Sequence, residues 1–304
     1  MIFLTILGCQ ERDVDINLPY DGDKLVVTSH LQAGSPIEVY LEHTFKPLGQ
    51  FPEELTVSNA TVFIIKDGRD TTALTSAGNG SYVSDMMIEA GSSYVIRATA
   101  PGYEAAQSRP VEVPISRVEF EYKIKKDVSG VYYPIKNYAL VSLYFKDIRP
   151  EKEYYVIGLV SVYKDKNISN MLFVNDNIAA TEENCLASYA ERRQDKGFQP
   201  GVNLVRGECM PAQGNPLSIS IKTLTSYFSR TNPDSSYVVR EKASKLILRV
   251  GKATQNWFDW SQIENNQPTD VDFLFLTPQK TFTNIENGYG LVFASNETLI
   301  EIDL

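Results

Sequence analysis

Histidine is almost missing from this chain: 304 residues contain two, His30 and His43. Both fall in or beside stretches that read as strands, so a catalytic or metal-binding histidine has little to draw on. No Gly-x-Ser-x-Gly elbow is present, so a serine hydrolase of that type has no strained turn for its nucleophile. His-Glu-x-x-His and glycine-rich phosphate loops are also missing. Cysteine is sparse, at three residues, and none stands in a Cys-x-x-Cys pair, which leaves a structural zinc site without its usual ligands. Positive charge is scarce: 29 Lys and Arg against 38 Asp and Glu give a net charge of −9. With no basic block, nucleic acid is not an expected partner. No apolar run reaches the roughly 18 residues of a membrane-spanning helix. No catalytic residue, metal or cofactor is assigned from these patterns, and the chain is not expected to be an enzyme.

Apolar and aromatic residues are abundant. Hydrophobic residues make up 43%, with 17 Tyr and 14 Phe. Together with many Val, Ile and Thr they favour strands, and the length allows two domains. The chain opens Met1-Ile2-Phe3-Leu4-Thr5-Ile6-Leu7-Gly8-Cys9. An apolar run, a small residue and then cysteine is how a lipoprotein signal ends, and this predicts lipidation at Cys9, although the run is short and no Lys or Arg precedes it. The polar residues 10–22 read as a tether. The other cysteines, Cys185 and Cys209, lie in one polar region. In an oxidising compartment they either pair, closing a loop worth about 3 kcal/mol, or stay as buried thiols.

From Lys24 the pattern alternates. Strands are expected over Lys24–Leu31, Ile37–Leu41, Thr61–Lys66, Thr71–Leu74, Gly80–Val83, Ser93–Ala100 and Ala105–Pro114, with turn signals about every ten residues, the signature of an antiparallel sandwich. Gly80-Ser81-Tyr82, Tyr94-Val95-Ile96-Arg97-Ala98-Thr99 and Pro101-Gly102-Tyr103 resemble the small sandwich modules of the immunoglobulin, transthyretin and carboxypeptidase-regulatory type. Pro110–Pro114 reads as a linker. Strands follow over Val118–Lys125, Tyr138–Phe145, Glu153–Val160, Leu217–Ile221 and Lys245–Val250. Residues 165–216 read as long loops with one short strand near Met171–Val174, and Thr223–Arg230 as a short helix. Ala253–Ile263 is the strongest helix, with Trp257, Trp260 and Glu264 on one face. The expected fold is therefore mostly β: a tether over 1–22, an immunoglobulin-like or transthyretin-like sandwich over 23–114, and a larger β-rich domain over 115–304 with one or two short helices.

The stretch Thr283-Asn284-Ile285-Glu286-Asn287-Gly288-Tyr289-Gly290-Leu291-Val292-Phe293 resembles the C-terminal signature of a Bacteroidetes-type family of outer-membrane lipoproteins of unknown function. The usual form there is Ser-Asn-Ile-x-x-Gly-x-Gly-Ile-Phe. Thr283 stands for Ser, and Val292 precedes Phe293. The Gln255-Asn256-Trp257-Phe258 stretch and the domain order agree with it. The resemblance implies a lipid-anchored outer-membrane protein, on the cell surface or the periplasmic face, often encoded beside a TonB-dependent transporter, which becomes the expected partner. It brings no catalytic residue.

Remaining candidates are weaker. The carboxylate pairs Asp21/Asp23, Glu182/Glu183 and Asp270/Asp272 are adjacent in sequence, which does not supply the separation a glycosidase needs. Asn175-Asp176-Asn177 lacks the glycine and closing glutamate of a calcium loop. Trp257 and Trp260, the only tryptophans, are candidates for ligand or partner contact if exposed, and for the core if the helix packs on a sheet. The leading expectation is a ligand-binding or accessory protein of a nutrient uptake system. An adhesin and a hydrolase with an unfamiliar site are the alternatives.

Overall fold

A computed structural model describes Tyr20, residues 22–46, 52–129, 136–146, 153–164, 167–168, 171–173, 185–189, 192–193, 197–198, 201–210, 217–229, 238–265 and 282–304. Cys9 lies outside them, as do Asp21, Glu182, Glu183, Asp270, Asp272 and Asn175–Asn177. The described chain is mostly β, with one α-helix. Its first strands are β1 (Leu25–Gln32), β2 (Pro36–His43), β3 (Thr61–Lys66), β4 (Asp70–Ala73), β5 (Thr75–Gly78), β6 (Ser81–Met87), β7 (Ser93–Thr99), β8 (Ala106–Ser108) and β9 (Val111–Glu112). Then come β10 (Phe120–Ser129), β11 (Lys136–Phe145), β12 (Tyr154–Val162), β13 (Asn167–Ile168), β14 (Met171–Phe173), β15 (Leu186–Tyr189), β16 (Arg192–Arg193), β17 (Gly197–Phe198) and β18 (Val202–Arg206). The last are β19 (Leu217–Leu224), β20 (Ser226–Ser229), β21 (Val238–Lys242) and β22 (Lys245–Ala253), helix α1 (Gln255–Asn265), β23 (Ile285–Glu286) and β24 (Tyr289–Asp303).

One ten-stranded sheet runs through the molecule in the order β15-β18-β12-β22-β24-β1-β2-β6-β5, with β13 attached to β12. A six-stranded sheet, β23-β8-β7-β3-β4 with β9 on β7, covers one end of it. A four-stranded sheet, β10-β11-β19-β14, covers the other. Period-two alternation explains the layers, because successive side chains point to opposite faces. In β1, Leu25, Val27 and Leu31 are buried, and they pack with Val39, Ile64, Tyr94 and Ile96 in the first core. In β12 and β22, Tyr155, Ile157, Leu159, Leu246 and Leu248 pack with Val141, Leu143 and Ile219 in the second.

Strand β24 joins the two halves. It pairs in parallel with β1, Val26 opposite Tyr289 through Gln32 opposite Ser295. It also pairs antiparallel with β22, Lys245 opposite Asp303 through Ala253 opposite Ser295. Its Val292 and Ala294 enter the first core and its Ile302 the second. The expected boundary at Pro114 is therefore not a break in the sheet, and residues 23–114 do not complete their own sandwich. They need β23 and β24 from the far end of the chain, one of them in a parallel pairing. The expected linker is pinned as well. Asn296 Nδ2 donates to Pro114 O at 2.9 Å, and Arg117 Nε donates to Asn296 Oδ1 at 3.2 Å.

Two further expectations are corrected. The described part of Thr223–Arg230 is not a short helix: Thr223 and Leu224 end β19 opposite Ala139 and Tyr138, and Ser226–Ser229 pairs antiparallel with Val238–Lys242. Tyr, Phe and Thr in that stretch suit a pleated surface. Within 165–216, β15 and β18 extend the large sheet beyond β12. Val202, Leu204 and Val205 of β18 are all buried, and a strand covered on both faces does not alternate.

Candidate functional site

The signature stretch serves packing. Asn284 acts as a peptide mimic toward Val292: its Nδ2 donates to Val292 O at 2.7 Å, and its Oδ1 accepts from Val292 N at 3.0 Å. Asn256 Nδ2 of α1 donates to the same carbonyl at 2.7 Å. Thr283 Oγ1 donates to Gly290 O at 2.9 Å and accepts from Ile285 N at 3.1 Å. Ile285 sits opposite Ser108, which carries the turn onto the six-stranded sheet. Gly290 has φ +105, and a Cβ there would run into the backbone of Val27, so the parallel approach of β24 to β1 requires glycine.

On the helix side of the large sheet, polar groups cluster under α1. His30 Nε2 lies 2.8 Å from Ser295 Oγ and 3.8 Å from Glu297 Oε1. The ring is stacked on Phe293 at 4.7 Å and tilted on Trp257 at 5.1 Å. Serine, histidine and an acid invite comparison with a catalytic triad, but the geometry differs. A triad places serine and acid on opposite ring nitrogens, whereas here both approach Nε2. Ser295 Oγ donates to Glu297 Oε1 at 2.6 Å, so Nε2 carries the hydrogen toward Ser295 and has no lone pair to take the serine proton. Ser295 is also fully buried.

Glu297 is the anchor of this cluster. Its side chain is inaccessible, and Arg249 grips it with Nε to Oε2 at 2.8 Å and Nη2 to Oε1 at 3.1 Å. Burial pushes its carboxyl up. The Arg249 guanidinium, His30 and the hydrogen bonds from Arg249 and Ser295 outweigh that and hold it below the usual carboxylate range. Gly251 makes the room, since a Cβ there would meet Asn296 O at 2.5 Å and Glu297 Cα at 2.6 Å.

Helix α1 packs its Trp257 and Phe258 against Val156, Leu204, Leu291 and Phe293. Trp257 is buried, so the first of the two candidate contact tryptophans is a core residue and is not available to a ligand. Trp260 is half-buried at the rim of the same cluster. Cys185 and Cys209 are joined in a disulfide with Cα atoms 5.6 Å apart. It ties the residue before β15 to the turn after β18, where Arg206 N also donates to Cys185 O at 3.1 Å.

An open concavity lies elsewhere, at the end of β2. A groove of about 460 Å³ is lined by His43, Glu54, Thr56, Ser58, Asn59, Pro101 and Tyr103, with the buried Val57 among them. His43 and Tyr103 are tilted by 39° with ring centres 5.8 Å apart. His43 is held on both sides, with Nδ1 2.8 Å from Thr44 O and Nε2 3.2 Å from Glu54 O. A neutral imidazole has one N–H and donates to one of these carbonyls, and with both nitrogens turned to the backbone the ring face is what it offers the groove. Thr56 Oγ1 donates to Glu54 Oε1 at 2.9 Å. At the edge, the Tyr20 hydroxyl donates to the Asp23 carboxylate, which pushes the phenol up to about 12. Burial and the nearby Asp23 charge push the Tyr103 phenol up as well.

The family model described as Domain of unknown function (DUF4249) matches residues 11–301. The chain belongs to this family. The match takes in both cores, the groove and nearly all of β24, so the DUF4249 unit is the whole folded body and not one of its halves. No curated protein matches the chain. Among the described residues of this DUF4249 chain, no group of three or more His, Cys, Asp or Glu is arranged to hold a metal. No helix among them is long and apolar enough to cross a membrane. Three members of the groove stand out in the sequence, His43 as a candidate catalytic group and Pro101 and Tyr103 as a fold corner. For the rest, the polar run Glu54, Thr56, Ser58, Asn59 was the one available signal.

Proposed function

We propose that this chain is a cell-envelope lipoprotein of Bacteroidetes type, anchored in the outer membrane through Cys9, and that it serves as a ligand-binding or accessory component of a TonB-dependent nutrient uptake system. The observation that carries the reading is the groove at the end of β2. It has the volume of a small-molecule site, about 300–1000 Å³, and stands on the rigid strands of a sandwich. Its polar groups suit holding a molecule rather than transforming one, because both ring nitrogens of its histidine are turned to backbone carbonyls. The apolar run ending in Gly8-Cys9 and the Thr283–Phe293 signature support the envelope location.

The test is purification of the tagged full chain from native membranes, with radiolabelled palmitate in the medium. Label on the wild type, none on Cys9→Ser, and a co-purifying outer-membrane transporter are expected. A wild type without label, or a purification that recovers no transporter, sinks the reading.

A further inference from the structure

We infer that the groove at the end of β2 takes an uncharged, hydroxyl-rich ring, that is, a neutral carbohydrate, with the Tyr103 ring as its platform. The inference deepens the binding role proposed above and rests on it. The lining first excludes classes of ligand. Among the described residues no Lys or Arg lines the groove, while Glu54 does, and the Asp23 charge is felt at Tyr103. An anionic ligand would meet the Glu54 carboxylate with no described Lys or Arg of the lining to offset it. A purely apolar ligand is disfavoured as well, because the Asn59 amide and the Glu54 carboxylate would lose water on its binding.

What remains is a molecule with an apolar face and a polar edge. The Tyr103 and His43 rings supply surface for the first, since aromatic groups offer large, rigid contact area. Asn59 both donates and accepts, Thr56 brings a hydroxyl, and Glu54 accepts. A sugar ring has this division, with its C–H groups on a face and its hydroxyls around the rim. A cationic amine is the nearest rival, because a carboxylate beside an aromatic ring also suits an ammonium. One feature weighs against it: Glu54 is a single acid among neutral polar groups, Thr56, Ser58 and Asn59, which suit hydroxyls more than an ammonium. The Pro101-Gly102-Tyr103 corner holds the platform in place: Tyr103 N donates to Ala100 O at 3.2 Å, and the side chain rests on the first core.

The experiment uses the full chain on an array of immobilised oligosaccharides in three sets: neutral gluco-, manno- and xylo-oligosaccharides, anionic galacturonate oligomers, and cationic chitosan oligomers. Any hit is then titrated calorimetrically. Binding is expected within the neutral set only. Tyr103→Ala is expected to weaken it about 10-fold, in line with the worth of an aromatic contact, and Tyr103→Phe by no more than about 3-fold. Because Tyr103 also touches the core, the exposed Asn59→Ala and Glu54→Gln keep the test independent of folding, and each should weaken binding about 5-fold or more. The inference is overturned by an empty neutral set, by preference for the anionic or chitosan sets, or by neutral binding that none of these variants changes. A transporter that co-purifies while no neutral sugar binds removes this inference alone. Sugar binding without a transporter keeps it and removes the uptake partner.

Discussion

Arg249→Leu should convert the best-held charge in the molecule into its largest liability, with a pH signature that identifies the cause. In the wild type the Glu297 carboxyl lies below its ordinary range. Such a group adds stability that is present above the unfolded value and is lost as pH falls through the folded one. Removing Arg249 leaves burial as the largest influence, and burial acts in the opposite direction. Glu297 in the variant then binds its proton more tightly folded than unfolded. Its penalty is full at neutral pH and is relieved as pH falls. Breaking a buried pair by removing one partner costs about 3–5 kcal/mol. Each pH unit below the raised value returns about 1.4 kcal/mol. Urea unfolding followed by tryptophan fluorescence, at about pH 7.5 and again at about pH 5, should show the gap between wild type and variant narrowing at the lower pH. The double variant Arg249→Leu/Glu297→Leu should recover most of the loss, because an apolar pair replaces an orphaned charge. A gap independent of pH, or a loss below about 1 kcal/mol as in an exposed ion pair, would refute the buried-charge account.

Asn284→Ala strips Val292 of its donor and acceptor at once. It should cost about 1–3 kcal/mol in chemical denaturation, with Asn284→Asp no better at neutral pH, because a carboxylate cannot donate to Val292 O. Cys185→Ser/Cys209→Ser should lose about 3 kcal/mol in the same assay, and dithiothreitol should shift the wild-type midpoint and leave the variant's unchanged. Trp257→Ala, which empties the contact between α1 and the sheet, should cost about 3–5 kcal/mol. Acrylamide should quench Trp260 more readily than Trp257, and equal quenching of the two would contradict the burial described for Trp257.

How much of the fold was legible depended on which faces each strand covers. β1, β2, β3 and β7 bury one face and leave the other half-exposed, so Leu25, Val27, Ile37, Val39, Val62, Ile64, Tyr94 and Ile96 fall at every second place and the pattern declares itself. β5 is Thr-Ser-Ala-Gly, exposed throughout, and nothing in its composition marks it. The continuation of β24 past Phe293 was hidden for the opposite reason. Ser295, Asn296 and Glu297 are polar residues that follow an apolar run, yet all three are buried. Their partners, Arg117, Arg249, His30 and Pro114, lie at least 48 residues away in sequence, Arg249 being nearest at 48 from Glu297. Local periodicity cannot report a partner at that range, and without it a buried glutamate looks like a strand ending.

The same physics separates what a family match carries from what it leaves out. The residues behind the C-terminal signature are committed to the frame. Thr283 and Asn284 bond the backbone of Gly290 and Val292, and Gly290 admits β24 against Val27. Any chain that closes its first sandwich with its last strand faces this same demand, whatever it binds, so the signature specifies a fold and is indifferent to a ligand. The groove is assembled from other places: the end of β2, the segment around Glu54–Asn59 and the turn before Tyr103. Those side chains can be exchanged without disturbing the clamp, because none of the bonds that hold β24 passes through them. Ligand choice in this architecture should therefore follow the groove residues. Grafting a different polar set at Glu54, Thr56 and Asn59 should change what is bound while leaving the unfolding midpoint within about 0.5 kcal/mol of wild type, the usual span for surface substitutions.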